Sequence, residues 1–151
     1  MEGDVTGVCM SLRILVVDDS QTTRRVLSAL VSSRWTVCGD AENGKSALKK
    51  FRELKPDLVL LDLGMPDIDG IEVGRQMHAI DPDVPLILFT LSDAWSLESA
   101  ARKAGICRVV SKSEPSKLMD SIEQIASESI TSGSSAKASA QARTKSKSVA
   151  R

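Results

Sequence analysis

Leu58-Val59-Leu60-Leu61-Asp62-Leu63-Gly64-Met65-Pro66 is the stretch on which the fold turns. Four apolar residues in a row, without the alternation of a half-exposed strand, predict a short strand covered on both faces. An acid closes the run, and Gly64 and Pro66 follow as turn residues. The same order recurs along the chain. Ile14-Leu15-Val16-Val17 runs into Asp18-Asp19, Leu86-Ile87-Leu88-Phe89 into Thr90, and Arg108-Val109-Val110-Ser111 into Lys112. Thr36–Gly39 is a further, shorter run.

Helical spacing fills the gaps between these runs. Val26, Leu27, Leu30 and Val31 repeat at helical intervals after a Ser20 cap, and Ala47, Leu48, Phe51 and Leu54 do so after Asn43-Gly44. Ile71, Val73, Met77 and Ile80 give a third helix. Ala100, Ala101 and Ala104 give a short fourth, stopped by Gly105. Leu118, Ile122 and Ile125 give a fifth, with Pro115 near its start. Strand and helix thus alternate five times. That pattern predicts an α/β fold of the flavodoxin-like (βα)5 type, a doubly wound five-stranded parallel sheet in strand order 2-1-3-4-5.

Composition sets the limits around this core. The chain has 151 residues, with twenty acids against twenty bases. The balance hides a division: the first 128 residues hold every acid and fifteen bases, whereas residues 129–151 hold Lys137, Arg143, Lys145, Lys147, Arg151 and no acid. The expected organisation is a short extension (1–11), one domain (12–128) and a basic low-complexity tail (129–151). The tail is too poor in apolar residues to offset its ordering entropy and is expected to be disordered. Cys9, Cys38 and Cys107 are an odd set with no C-x-x-C spacing, which suggests free thiols in a reducing cytoplasm. No apolar run reaches the roughly 20 residues of a membrane span. The first eleven residues lack the basic and apolar regions of a secretory signal, and Met10 is a plausible alternative start. Aromatic residues are 3% of the chain and Tyr is absent, which argues against base-stacking modules.

A parallel sheet brings the carboxyl ends of its strands to one edge. Asp18, Asp19, Asp62, Thr90 and Lys112 are therefore expected to converge. One acid after a strand is ordinarily a helix cap; four coordinated strand ends are not. Like charges ~4 Å apart repel by about 1 kcal/mol in water and by more in a drier cleft. Such a cluster takes up protons or binds a cation, and an all-oxygen donor set favours Mg²⁺, with Mn²⁺ as a substitute. Lys112 adds a point charge for a phosphoryl oxygen and Thr90 a hydroxyl, with Asp62 as nucleophile forming an acyl phosphate.

These residues resemble the receiver domain of two-component response regulators. The resemblance lies in Val16-Val17-Asp18-Asp19-Ser20, Leu60 through Pro66, Asp69-Gly70, Phe89-Thr90, Ala104-Gly105 and Lys112, and it covers residues 12–128. It implies that Asp62 accepts phosphate from the phosphohistidine of a sensor histidine kinase or a histidine phosphotransfer protein. It also implies that Asp19, Asp62 and the backbone carbonyl of Gly64 bind Mg²⁺ directly, with Asp18 acting through a water. Lys112 then binds the phosphoryl group, and Thr90 moves toward it to reset a protein-binding surface on helix 4, strand 5 and helix 5. An effector protein and a phosphorylation-dependent dimer are the further partners implied; neither membrane nor nucleic acid is expected.

Three positions depart from the family pattern. Val109 stands where an aromatic partner of the Thr is usual, Ser113 stands where Pro usually follows the Lys, and Leu91 is bulky where the residue after the Thr is often small. Leu91 is expected to narrow the approach to Asp62. Other features have plainer readings. Asp57 lies five residues before Asp62, about 16 Å away along a strand, and belongs to the strand start. Asp67-Ile68-Asp69-Gly70 imitates an Asp-x-Asp phosphatase motif, but Met65-Pro66 separates it from the strand, and Asp69 reads as a helix cap. His78, the one histidine, has no triad partner, no nucleotide P-loop pattern is present, and Trp95, in the loop after Thr90, is expected either to pack on helix 4 or to be exposed as a partner anchor. The function expected is a stand-alone cytoplasmic response regulator, not an enzyme beyond assisting its own phosphorylation and dephosphorylation. A phosphotransfer intermediate or phosphate sink is the alternative, and nucleic-acid contact by the basic tail a weaker one.

Overall fold

A computed structural model describes residues 12–91 and 94–131. Strands β1 (Arg13–Val17), β2 (Thr36–Ala41), β3 (Leu58–Leu61), β4 (Leu86–Thr90) and β5 (Arg108–Ser111) alternate with helices α1 (Gln21–Ser32), α2 (Gly44–Leu54), α3 (Gly70–Ile80), α4 (Ala94–Lys103) and α5 (Pro115–Thr131). The strands form one parallel sheet in the order β2-β1-β3-β4-β5. This is the flavodoxin-like arrangement that the alternation of runs predicts.

The continuous apolar runs are buried on both faces. Leu15, Val17, Val59, Leu61, Leu86 and Leu88 pack with Leu48 and Phe51 of α2, Val73 and Met77 of α3, Ala101 of α4 and Ala104 just after it. Ile14, Val16, Leu58, Leu60 and Ile87 alternate with them and point to the opposite face, where α1 contributes Leu27 and Val31. A central strand sandwiched in this way has no solvent face on which to place a polar residue, hence the missing alternation.

Edge strand β2 is irregular. Ile14 pairs with Val37 but Leu15 pairs with Gly39, so Cys38 has no opposite residue and forms a bulge. Gly39 follows because the Leu54 side chain fills the space that its Cβ would occupy. Gly105 ends α4 in the left-handed region at φ 93° and lies against the His78 ring, which a Cβ would overlap. Cys38 is half-buried and Cys107 exposed.

The compact unit that carries the sheet ends at Pro115. Helix α5, taken by itself, carries Leu118, Ile122 and Ile125 along one face at the predicted helical spacing. It runs to Thr131, three residues beyond the boundary that composition suggested. Cys9, Met10 and the rest of the basic tail lie outside the described residues.

Candidate functional site

Asp18, Asp62 and Lys112 are each the first residue after a strand and Thr90 is the last within one, while Asp19 follows Asp18 one residue further on. The backbones of Asp18, Asp62 and Lys112 are still held by the sheet. The Asp18 amide donates to Ala41 O at 3.0 Å, the Asp62 amide to Val17 O at 2.9 Å, and the Lys112 amide to Thr90 O at 2.8 Å. Thr90 is the last residue of β4 and is buried. The neighbouring strand thus fixes each side chain's starting point, which holds a site more tightly than free loops do. Asp18 and Asp62 stand side by side because β1 and β3 are neighbours where the strand order reverses, the usual crevice of such sheets.

The three carboxylates and the Lys112 ammonium meet at the sheet edge. Lys112 Nζ lies 2.7 Å from Asp18 Oδ2 and 2.9 Å from Asp62 Oδ1. Carboxylate oxygens of Asp18, Asp19 and Asp62 all fall within 4.8 Å of one another. Asp18 is 1% exposed, Asp62 is nearly as buried, and Asp19 faces solvent. Both carboxylate oxygens of Asp18 are engaged, since Oδ1 accepts from the Ser20 amide at 2.9 Å. One ammonium therefore offsets part of a three-carboxylate cluster, and the remaining negative charge with hard oxygen donors suits a small divalent cation.

Electrostatics follow the same geometry. Burial pushes the Asp62 carboxyl above the usual carboxylate range; the Lys112 hydrogen bond opposes this, and the Asp18 and Asp19 charges reinforce it. For Lys112, burial alone favours the neutral amine. Hydrogen bonds to Asp18 and Asp62 outweigh it and hold the group above the ordinary lysine value.

Helix starts enclose the cluster. Ser20 caps α1, its hydroxyl accepting from Thr23 N at 3.2 Å. Asp69 caps α3, accepting from Glu72 N at 2.9 Å, as the sequence suggested. Gly70, the first residue of α3, donates its amide to Leu63 O at 2.7 Å. A Cβ there would collide with the carbonyl oxygen of Asp62, so only glycine lets α3 start this close to the cluster. Gly64 lies on the exposed loop between them. Asp57 receives the Arg13 amide at 2.9 Å at the opposite sheet edge, in keeping with a strand-start residue.

Other expectations are corrected or completed. Trp95 takes the exposed of its two expected placements, 83% exposed on α4, and Leu91, next to Thr90, is 79% exposed. Ser113, in place of Pro, joins a turn in which its amide donates to Ser111 Oγ at 3.2 Å and the two hydroxyls lie 2.7 Å apart. Val109 is half-buried against the core. Asp67 has a role the motif did not suggest: its carboxylate accepts from the Gly44 amide at 2.8 Å and the Lys45 amide at 2.9 Å, tying the loop after β3 to the start of α2. Arg24 was also not foreseen. Its Nη1 donates to the Asp18 carbonyl at 2.7 Å and its Nε pairs with Asp40 Oδ2 at 2.7 Å. The only sequence signal is a basic residue in the first turn after the acid pair.

Comparison with known proteins places the fold and the family. The family model of the response regulator receiver domain matches residues 14–123. A chemotaxis protein CheY of Thermotoga maritima is 31% identical over 118 residues, covering 77% of this chain and 98% of that protein. A LuxR-family two-component response regulator from an Aurantimonas species is similar in structure, with a TM-score of 0.73 and 31% identity over 77% of this chain and 85% of that one. A CheY-like receiver domain protein of Methanospirillum hungatei shares the fold, with a TM-score of 0.76 and 23% identity over 82% of this chain and 100% of that one.

Proposed function

We propose, from the premise that this chain belongs to the response regulator receiver domain family, that it is a phosphorelay switch whose phosphoacceptor is Asp62. The observation that carries this reading is the Lys112 ammonium set between Asp18 and Asp62, with Asp19 within ligand distance of both. Asp62 Oδ2, the oxygen that Lys112 does not hold, attacks the phosphorus of a kinase or phosphotransfer phosphohistidine. An O–P bond forms as the N–P bond breaks. The imidazole leaves with the electron pair, is protonated, and an acyl phosphate remains. Lys112 stays charged at neutral pH and exchanges its contact with Asp62 for one with a phosphoryl oxygen. The Thr90 hydroxyl binds another, and its movement is what the rest of the molecule senses. Hydrolysis reverses the bond: water attacks phosphorus and Asp62 leaves as carboxylate.

Receiver domains bind Mg²⁺ at an acidic pocket, and the oxygen donors here fit such an ion. In this reading Asp19, Asp62 and the Gly64 carbonyl hold it directly and Asp18 acts through a water, in keeping with the two engaged oxygens of Asp18. When bound, Mg²⁺ neutralises charge on the phosphoryl oxygens; Mn²⁺ is its substitute. The protein acts on no substrate but its own phosphoryl group.

The output in this reading is a protein-binding surface that includes α4 and β5, in a cytoplasmic pathway. Leu91 and Trp95, exposed apolar residues at and after the end of β4, favour effector binding over a bare phosphate sink. Among the described residues, no helix is long and apolar enough to cross a membrane. Labelling by a panel of histidine kinases in Mg²⁺, with hydroxylamine cleavage to identify the acyl phosphate, tests the chemistry. Asp62→Asn is expected to abolish the label while staying folded, and retained label overturns the assignment. Capture of a partner only by the beryllofluoride-bound form supports the switch. Rapid return of phosphate to a histidine protein, with no partner captured, supports the sink.

A further inference from the structure

We propose that Arg24 is a positioning residue for the acidic pocket, fixing the peptide between Asp18 and Asp19 and so the direction of the Asp19 carboxylate. The inference rests on the receiver reading of the cluster. Its basis is the way the Asp18–Asp19 turn is held. The Asp18 amide donates to Ala41 O, Oδ1 accepts from Ser20 N, and Oδ2 accepts from Lys112. Its carbonyl accepts from Arg24 Nη1 at 2.7 Å. With that carbonyl pinned, the Asp18–Asp19 peptide plane cannot rotate, and the exposed Asp19 side chain departs from a fixed point.

The guanidinium suits this task. Its side chain is only 12% exposed and is itself anchored, because Nε pairs with Asp40 Oδ2 at 2.7 Å. The planar fork reaches both acceptors at once, which a lysine ammonium on a flexible stem does less well. Arg24 lies in the first turn of α1, its amide donating to Ser20 O at 2.9 Å. The helix start already has its Ser20 cap, so the arginine is not needed to begin α1. The two cations also differ in kind. Lys112 occupies carboxylate oxygens, whereas Arg24 grips a backbone oxygen and adds positive charge one peptide away from Asp19. It offsets repulsion in the cluster without competing for the oxygens that a cation needs.

Calorimetric titration of the full chain with Mg²⁺, beside acetyl phosphate labelling at graded Mg²⁺, tests this role. Arg24→Met, which keeps the apolar stem, is expected to weaken Mg²⁺ binding roughly 10-fold, as losses around a metal's ligands commonly do. The Mg²⁺ needed for half-maximal labelling should rise by the same factor, while the rate at saturating Mg²⁺ returns to that of wild type. Arg24→Lys, which can satisfy one acceptor at a time, should fall between. Asp40→Asn is a surface change that loosens the Nε anchor, and should shift Mg²⁺ affinity in the same direction. A merely structural Arg24 would lower the thermal midpoint and leave Mg²⁺ affinity unchanged, and that result overturns the proposal. If Arg24→Met does not fold, unchanged Mg²⁺ affinity in Asp40→Asn does the same. Wild-type chain that neither binds Mg²⁺ nor labels at Asp62 would instead remove the receiver reading itself.

Discussion

Lys112 is the residue on which the unliganded cluster depends. It pairs with the Asp18 and Asp62 carboxylates at 2.7 and 2.9 Å, whereas Arg24 reaches only the Asp18 backbone carbonyl. Lys112→Met leaves two buried carboxylates facing each other and Asp19. We expect a loss of about 3 kcal/mol, the usual cost of removing one partner from a buried pair, measured by urea unfolding in EDTA. Mg²⁺ should restore part of that loss, because a bound cation replaces the missing charge. At this scale most of the site was legible in the sequence. Asp18, Asp19, Asp62, Thr90 and Lys112 are marked by position, since the end of a parallel strand is visible as the end of an apolar run. Arg24 was not legible. Its partner near the pocket is a backbone carbonyl, which has no residue type to read, and its reach depends on the phase of α1.

Among the elements, β3 matches its apolar run residue for residue, because an acid bounds it on each side at Asp57 and Asp62. β2 exceeds its run by two residues. An edge strand pairs on one side only and tolerates a polar residue such as Asp40, which an apolar-run rule discards. Helix α2 owes its start to two acceptors, the Asn43 cap and the distant Asp67, and only the first is local enough to see. The three amides that Asp67 accepts, those of Gly44, Lys45 and Ile68, hold its carboxyl below the usual carboxylate range. A depressed folded-state value means that this contribution to stability is complete above the unfolded value of about 4 and fades as pH falls through the folded one. Asp67→Ala should therefore lower the urea midpoint at pH 7 and have progressively less effect in acid. An equal effect at pH 7 and at the acid limit of folding would refute the cap.

At the scale of the whole molecule, zero net charge resolves into an acidic α/β unit and a basic tail. The acidity is partly functional, because three carboxylates sit in one pocket. Trp95, which the sequence left open between packing and exposure, stands exposed together with Leu91. It gives a direct readout of partner binding. The chain has two tryptophans, so Trp35→Phe leaves Trp95 as the only emitter. Its emission should be that of an exposed indole and should shift to the blue when an effector covers it. A complex that forms without that shift would place the effector elsewhere.

The bulge at Cys38 bears on a hazard common to every open sheet. A regular edge strand offers its free amides and carbonyls to any other chain in extended form, and crowded or partly unfolded copies can zip together along it. At β2 the step from Val37 to Gly39 breaks the spacing of those groups midway, and Asp40 places a charge just beyond the break. An incoming strand can match one half of this edge but not both, so the irregularity guards the sheet against growing from copy to copy into a fibre.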